Sequence, residues 1–194
     1  MMTSKTAHEP EEELLSAQDF WQDELTFKEN EPDSVPEKPI VADYLRGQIP
    51  RRRFAGMVGE KRFHALWERL AAAMDAIAQQ AKQGQAKAPM EDESTCLAMM
   101  GLANSFLLWN LPDSYGAGPV DRVRVVDNSI WIFPIVLTSP GYGIVGEVGQ
   151  IAVDIKRGQI VGCTFPDKVQ QHGKKCNEQH KEEIKAAFLQ ARRA

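Results

Sequence analysis

Near Pro112 the hydrophobic period of this chain changes, and that change decides what it can fold into. Upstream, Phe63, Leu66, Trp67, Leu70, Met74, Ile77 and Ala81 recur at spacings of three and four, the stripe of an amphipathic helix. Lys61, Arg62, Glu68, Arg69, Asp75, Gln79 and Lys82 fill its other face. Downstream the period becomes two. Val123 and Val125 alternate with Arg122, Arg124 and Asp127; Ile130 to Thr138, Gln150 to Ile155 and Gln159 to Cys163 follow as further strand-like runs. Asp127-Asn128-Ser129 and Lys156-Arg157-Gly158 are turn signals between them. A parallel pair needs a crossover of a dozen residues or more, so consecutive strands with short links pair antiparallel. The predicted fold class is α+β: a four-stranded antiparallel meander packed against helices on one face.

The other helices follow from their flanks. Residues 94–111, STCLAMMGLANSFLLWNL, are capped by Asp92 or Ser94 and stopped by Pro112. This stretch is apolar almost all round, so it is expected to be buried against the sheet. Gly101 in its middle costs about 1 kcal/mol relative to alanine, which close packing would explain. Gly84 suits the C′ position of the helix before it, and GQAKAP reads as a loop. Pro166 opens a single C-terminal helix whose inner stripe is Val169, Gly173, Cys176, His180, Ile184, Ala187 and Phe188. Pro134 interrupts the second strand without a ladder donor, which requires a sheet edge or a bulge.

Gly141, Gly143 and Gly146 spell G-x-G-x-x-G directly after an apolar run, the spacing of a dinucleotide fingerprint. That fingerprint needs a helix after the glycines, with its N-terminus on the pyrophosphate. Here Glu147-Val-Gly-Gln-Ile-Ala-Val-Asp-Ile155 alternates like a strand and leaves no room for one. Ser139-Pro140-Gly141 reads instead as a turn within a long glycine-containing loop. No nucleotide site is expected, and no cofactor.

Charge divides the chain. Residues 1–40 hold eleven acidic residues against three lysines, while the whole chain carries −4. Residues 1–40 are expected to be an acidic, largely disordered arm, 41–90 a linker and amphipathic helix, and 91–194 an α+β domain with a C-terminal helix. Within the arm, Leu14, Ala17, Trp21 and Leu25 fit one helical stripe, beside Phe20. The stripe either packs loosely on its own domain or folds on a protein partner. Arg46, Arg51, Arg52 and Arg53 form a basic cluster that could contact phosphate or the chain's own acidic arm. With an acidic chain and no reading motif after the cluster, a nucleic-acid partner is not expected. No apolar run approaches the length of about 20 residues that spans a bilayer. The first residues show no secretory pattern, so the expected compartment is the cytoplasm.

Trp131-x-Phe133, a glycine loop, and Ile151-x-Val153-Asp154-x-x-x-Gly158-x-Ile160 with Gly162-x-Thr164 resemble small α+β domains of the YrhB and immunity-protein-35 type. The V-D-x-x-x-G-x-I hairpin also looks like a PepSY-type domain. The resemblance covers residues of about 105–165. It implies a non-catalytic domain that inhibits, chaperones or holds a partner. The long N-terminal half and the C-terminal helix depart from it.

Catalytic patterns are sparse. His172, Cys176 and His180 lie at i, i+4 and i+8, on one helix face. Two such groups can share a zinc, and three reach one ion only with a bend; the alternative is that they line the inner stripe. Cys163 could add a thiolate, and Cys163 or Cys176 beside a histidine could be a nucleophile. Cys96, Cys163 and Cys176 all sit in apolar patterns, where buried reduced thiols are ordinary. No G-x-S-x-G occurs. The expected function is that of a non-enzymatic cytoplasmic protein-binding or accessory protein, in one version an immunity- or antitoxin-like inhibitor using its acidic arm. Its partner-binding candidates are Leu14, Phe20, Trp21, Leu25, Arg51, Arg52, Arg53 and Tyr142, with Tyr115 on the same rim. A homodimer is permitted. The competing expectation is a metal- or thiol-dependent enzyme built on His172, Cys176 and His180.

Overall fold

A computed structural model describes residues 37–83, 93–126 and 129–191. The chain divides into two compact units, Met1–Lys38 and Pro39–Ala194. The first lies outside the described residues apart from Glu37 and Lys38. The acidic arm, the Gly84 cap, the GQAKAP loop, Asp92 and the Asp127-Asn128 turn also fall outside the described residues.

Among the described residues four helices come first: α1 (Glu37–Leu45), α2 (Arg51–Val58), α3 (Glu60–Gln83) and α4 (Glu93–Asn110). Five strands follow: β1 (Tyr115–Ala117), β2 (Arg124–Val125), β3 (Ile130–Ser139), β4 (Gly143–Asp154) and β5 (Gln159–Cys163). Two helices, α5 (Pro166–Gln179) and α6 (Lys181–Ala191), end the chain. All strand pairs are antiparallel, in the order β1-β3-β4-β5, with β2 also on β3. The α+β class and the antiparallel meander are as the sequence predicts.

The first strand of that meander is split. β1 pairs with Ile135–Leu137 and β2 with Trp131–Ile132, on the same side of β3. Between them the chain leaves the sheet through a 3-10 turn at Val120–Arg122. Pro134 lies opposite this detour. Its carbonyl accepts from the Gly118 N–H at 2.7 Å, so its missing donor faces the gap where no ladder partner is needed. Proline therefore sits in an interior strand at an irregularity, and the edge alternative is excluded.

The glycine run is extended chain. β4 begins at Gly143, directly after a turn in which the Tyr142 N–H meets the Ser139 carbonyl. Gly141 takes φ +78°, which residues with a Cβ rarely adopt. The long loop expected here is thus a tight turn, and the absence of a helix after Gly146 removes the dinucleotide reading. At the far end, Asp154 Oδ1 accepts from the Lys156 and Arg157 N–H groups at 2.9 and 3.1 Å, and Gly158 closes the turn at φ +59°.

Seven consecutive residues of β3, Trp131–Leu137, are buried. Successive side chains point to opposite faces, so both faces of this strand are covered rather than one. On one, Met74, Ile77 and Ala81 of α3 pack with Ile132 and Ala152. Here α3 comes so close to β5 that a Cβ on Gly162 would lie 3.0 Å from the backbone N and Cα of Met74. The helical end has its own core. The Tyr44 ring stacks on Phe54 with centroids 4.1 Å apart. Its hydroxyl accepts from Trp67 Nε1 at 3.1 Å and donates to Asn110 Oδ1 at 2.7 Å, while Asn110 Nδ2 donates to the Phe106 carbonyl at 2.7 Å. The buried polar groups are thereby satisfied, and α1, α3 and α4 are tied together.

Candidate functional site

Arg51, Arg52 and Arg53 form the first turn of α2 and are all exposed. Pro50 at the N-cap offers no side-chain acceptor, and the first turn holds no acidic residue. A helix N-terminus carries partial positive charge and unpaired N–H groups, so three cations there oppose the helix dipole and one another. Arg51 gains some relief by placing its guanidinium 5.1 Å from the centroid of the Phe63 ring. The result is an electropositive prominence suited to an anionic surface.

Tyr142 stands on the β3–β4 turn, facing the joint between α5 and α6. Its hydroxyl donates to Glu183 Oε2 at 2.6 Å, and His180 Nδ1 lies 2.9 Å from the same oxygen. The hydrogen bond from Tyr142 holds the Glu183 carboxyl below the usual carboxylate range, with His180 acting the same way. In return, the hydrogen bond to Glu183 raises the pKa of Tyr142. Tyr142, a partner-binding candidate by sequence, is thus engaged within the chain: it clasps α6 to the sheet. Tyr115 is half-buried; a Cβ on Gly173 of α5 would strike its hydroxyl. Burial pushes its pKa up. It is a packing residue more than a rim contact.

The expected single C-terminal helix breaks at His180, whose φ of −106° and ψ of 16° depart from helix geometry. That bend does not gather the metal candidates. The imidazole of His172 bonds through Nδ1 to the Val148 carbonyl at 3.0 Å. A carbonyl can only accept, so Nδ1 carries the proton there. This bond covers an edge group of β4 beyond the end of β5. Cys176 packs on Gly146, where an added Cβ would lie 3.2 Å from Sγ. Among the described residues, no three His, Cys, Asp or Glu side chains sit where they could hold one metal ion. Cys163 is fully buried, and burial drives its thiol pKa well above the ordinary value, the opposite of an activated nucleophile. Cys96 is buried as well, and Cys176 is the partly exposed thiol. On the outer end of the inner stripe, Phe188 is half exposed rather than buried.

Leu14, Phe20, Trp21 and Leu25 lie outside the described residues. Two features escaped the sequence reading. The Tyr142–Glu183–His180 clasp was signalled by His180-x-x-Glu183, one helical turn apart. The second is α4. Cys96, Ala103, Phe106, Leu107 and Asn110 face the core, but Leu97, Leu108 and Trp109 are 48%, 56% and 43% exposed. The expectation of a fully buried helix holds for one side of α4 only. No helix among the described residues is long and apolar enough to cross a membrane.

No protein-family model matches the chain, and no curated protein or solved structure matches it either.

Proposed function

We propose that this chain is a non-enzymatic, cytoplasmic protein-binding or accessory protein whose acidic arm engages a basic surface of a protein partner. The observation that carries the reading is the charge layout. Eleven acids surround the apolar residues Leu14, Phe20, Trp21 and Leu25, a composition suited to folding on a partner as an amphipathic helix. Arg51, Arg52 and Arg53 open α2 with no acid in its first turn, and they offer a second contact to an acidic segment of the partner.

The non-enzymatic side of the proposal is supported by how the reactive groups are used. His172 is bonded to a strand edge, His180 to Glu183, and Cys163 is deep in the core with its thiol protonated. The immunity- or antitoxin-like version adds that the arm masks a basic active surface; it is supported by the resemblance carried by Trp131, Phe133 and the Asp154–Gly158 hairpin.

The test is capture from lysate by full-length protein, with quantitative mass spectrometry of what is retained, against full-length Trp21→Glu/Leu25→Glu. A basic protein retained by the first and lost from the second supports the proposal. Equal recovery by both removes the arm as the binding element.

A further inference from the structure

We propose that α6 is a hinged arm. It swings about His180 between the docked position and one in which α5 and α6 run on as a single helix. The hydrogen bond from Tyr142 to Glu183 is the latch that keeps it docked.

Local sequence gives no reason to stop a helix at His180. From Lys174 to Ala191 there is neither proline nor glycine, and a sharp break ordinarily needs one of these, a bulge or an inserted group. Val169, Gly173, Cys176, His180, Ile184 and Ala187 follow at spacings of three and four straight through the break, as on one face of one helix. Lys181-Glu-Glu-Ile-Lys-Ala-Ala187, just after it, is rich in strong helix formers. Yet His180 departs from helix values by about 40° in φ and about 60° in ψ. On either side the ladder is intact. The His180 N–H meets the Cys176 carbonyl at 3.1 Å, and the His180 carbonyl accepts from the Ile184 N–H at 2.9 Å. The bonds that would carry the helix through, from the Lys181 N–H to the Asn177 carbonyl and from the Glu183 N–H to the Gln179 carbonyl, are not made. The hinge is therefore centred on one residue, and returning His180 to helical dihedrals restores those bonds.

What holds α6 bent comes from the β3–β4 turn. Tyr142 donates to Glu183 Oε2 at 2.6 Å. Gly141 lies so close under α6 that a Cβ there would be 3.2 Å from the Ala191 Cβ and 3.3 Å from the Ala187 carbonyl oxygen. His180 and Glu183 are one helical turn apart, so their contact at 2.9 Å is compatible with either form; the bond from Tyr142 is what separates the two. No residue of α6 is buried, and Ile184 and Ala187 are only half-buried. A helix with so few buried apolar contacts belongs to the part of a fold that opens most readily. Swinging it out bares Gly141 and Tyr142 together with Ile184 and Ala187, a surface that the docked form withholds. The swing needs nothing from the acidic arm.

Spin-label distances in full-length protein test the proposal, with labels on Lys168→Cys and Gln190→Cys, both at exposed positions, in a Cys176→Ser background. A continuous helix separates these two backbone positions by about 33 Å, at 1.5 Å per residue, and the bend at His180 brings them closer. The shorter distance should dominate when the latch is intact. Tyr142→Phe and Glu183→Ala should each raise the longer-distance population about tenfold or more relative to the shorter, with helix content by circular dichroism unchanged or higher. Lys185→Ala, on α6 but outside the latch, should leave the distribution as it was. A distribution unmoved by both latch variants overturns the proposal. So does a fall in helix content in both, because α6 then unfolds instead of swinging, and the longer distance dominating with the latch intact overturns the docked form.

Discussion

Gly162→Ala tests how α3 sits on the sheet. In a strand, replacing glycine by alanine ordinarily stabilises a protein by about 0.5–1 kcal/mol, because it removes freedom from the unfolded chain. Here the added Cβ would lie 3.0 Å from both N and Cα of Met74 and 3.3 Å from its Cβ. These are backbone atoms in the middle of a long helix, so the contact cannot be relieved by rotating a side chain. Overpacking of this kind costs about 1–3 kcal/mol. The net expectation is a loss of about 1–2 kcal/mol and a fall in Tm of about 2–8 °C for a protein of this size. Urea denaturation of full-length protein measures it, with the slope unchanged. Gly56→Ala in α2 is the control: its Cβ would meet nothing within 4 Å, and a gain of up to about 1 kcal/mol is expected. If Gly162→Ala matched or exceeded wild type while Gly56→Ala behaved as expected, α3 would not rest its backbone on β5, and the account of the core would be wrong.

The Tyr142–Glu183 clasp makes α6 sensitive to pH in both directions. The carboxyl pKa of Glu183 is lowered by Tyr142 and then His180, so its contribution is present above the ordinary carboxylate range and is lost as acid protonates it. Tyr142 is raised by Glu183, so its contribution persists until alkali ionises the phenol. Protection of the amides across residues 181–191, taken against the intrinsic exchange rate at the same pH, should fall at both extremes, and Tyr142→Phe should lower it at neutral pH; protection unaffected by the variant would refute the clasp. Asp154→Ala removes the acceptor of two turn N–H groups and should cost about 1–2 kcal/mol in urea denaturation, with no change counting against the turn geometry. A disulfide reagent on native protein should modify one thiol quickly, and Cys176→Ser should abolish that fast phase, since Cys96 and Cys163 are buried; fast labelling that survives in the variant would refute this placement.

What the sequence disclosed followed from how local each feature is. The stripe from Phe63 to Ala81 is longer than any competing pattern, so α3 was legible. The Asp154–Gly158 hairpin carries its own turn chemistry, so β5 and the half of β4 from Gln150 onward were legible too, whereas Gly143 to Gly149 read as loop. β1 was not, because Tyr115-Gly-Ala117 is too short to alternate and becomes a strand only through pairing with Leu137, Val136 and Ile135. The placement of Pro134 depended on the same non-local pairing. The break at His180 was hidden because the apolar stripe continues through it at helical spacing. The candidate site was less legible. Residues at i, i+4 and i+8 read as a shared metal face, but each found a separate partner: His172 a carbonyl on β4, Cys176 a glycine, His180 a carboxylate. A one-dimensional pattern places groups on a face and cannot show which neighbour claims them. The exposed outer side of α4 was hidden for a related reason, since apolarity all round does not show which side the core takes.

Hydrogen exchange on full-length protein, alone and saturated with the basic protein that it captures, tests the central claim most directly. The account predicts new protection centred on Leu14 to Leu25, with the amides of β3 and β4 unchanged. Binding of the partner with no change in exchange across residues 10–30 would contradict it.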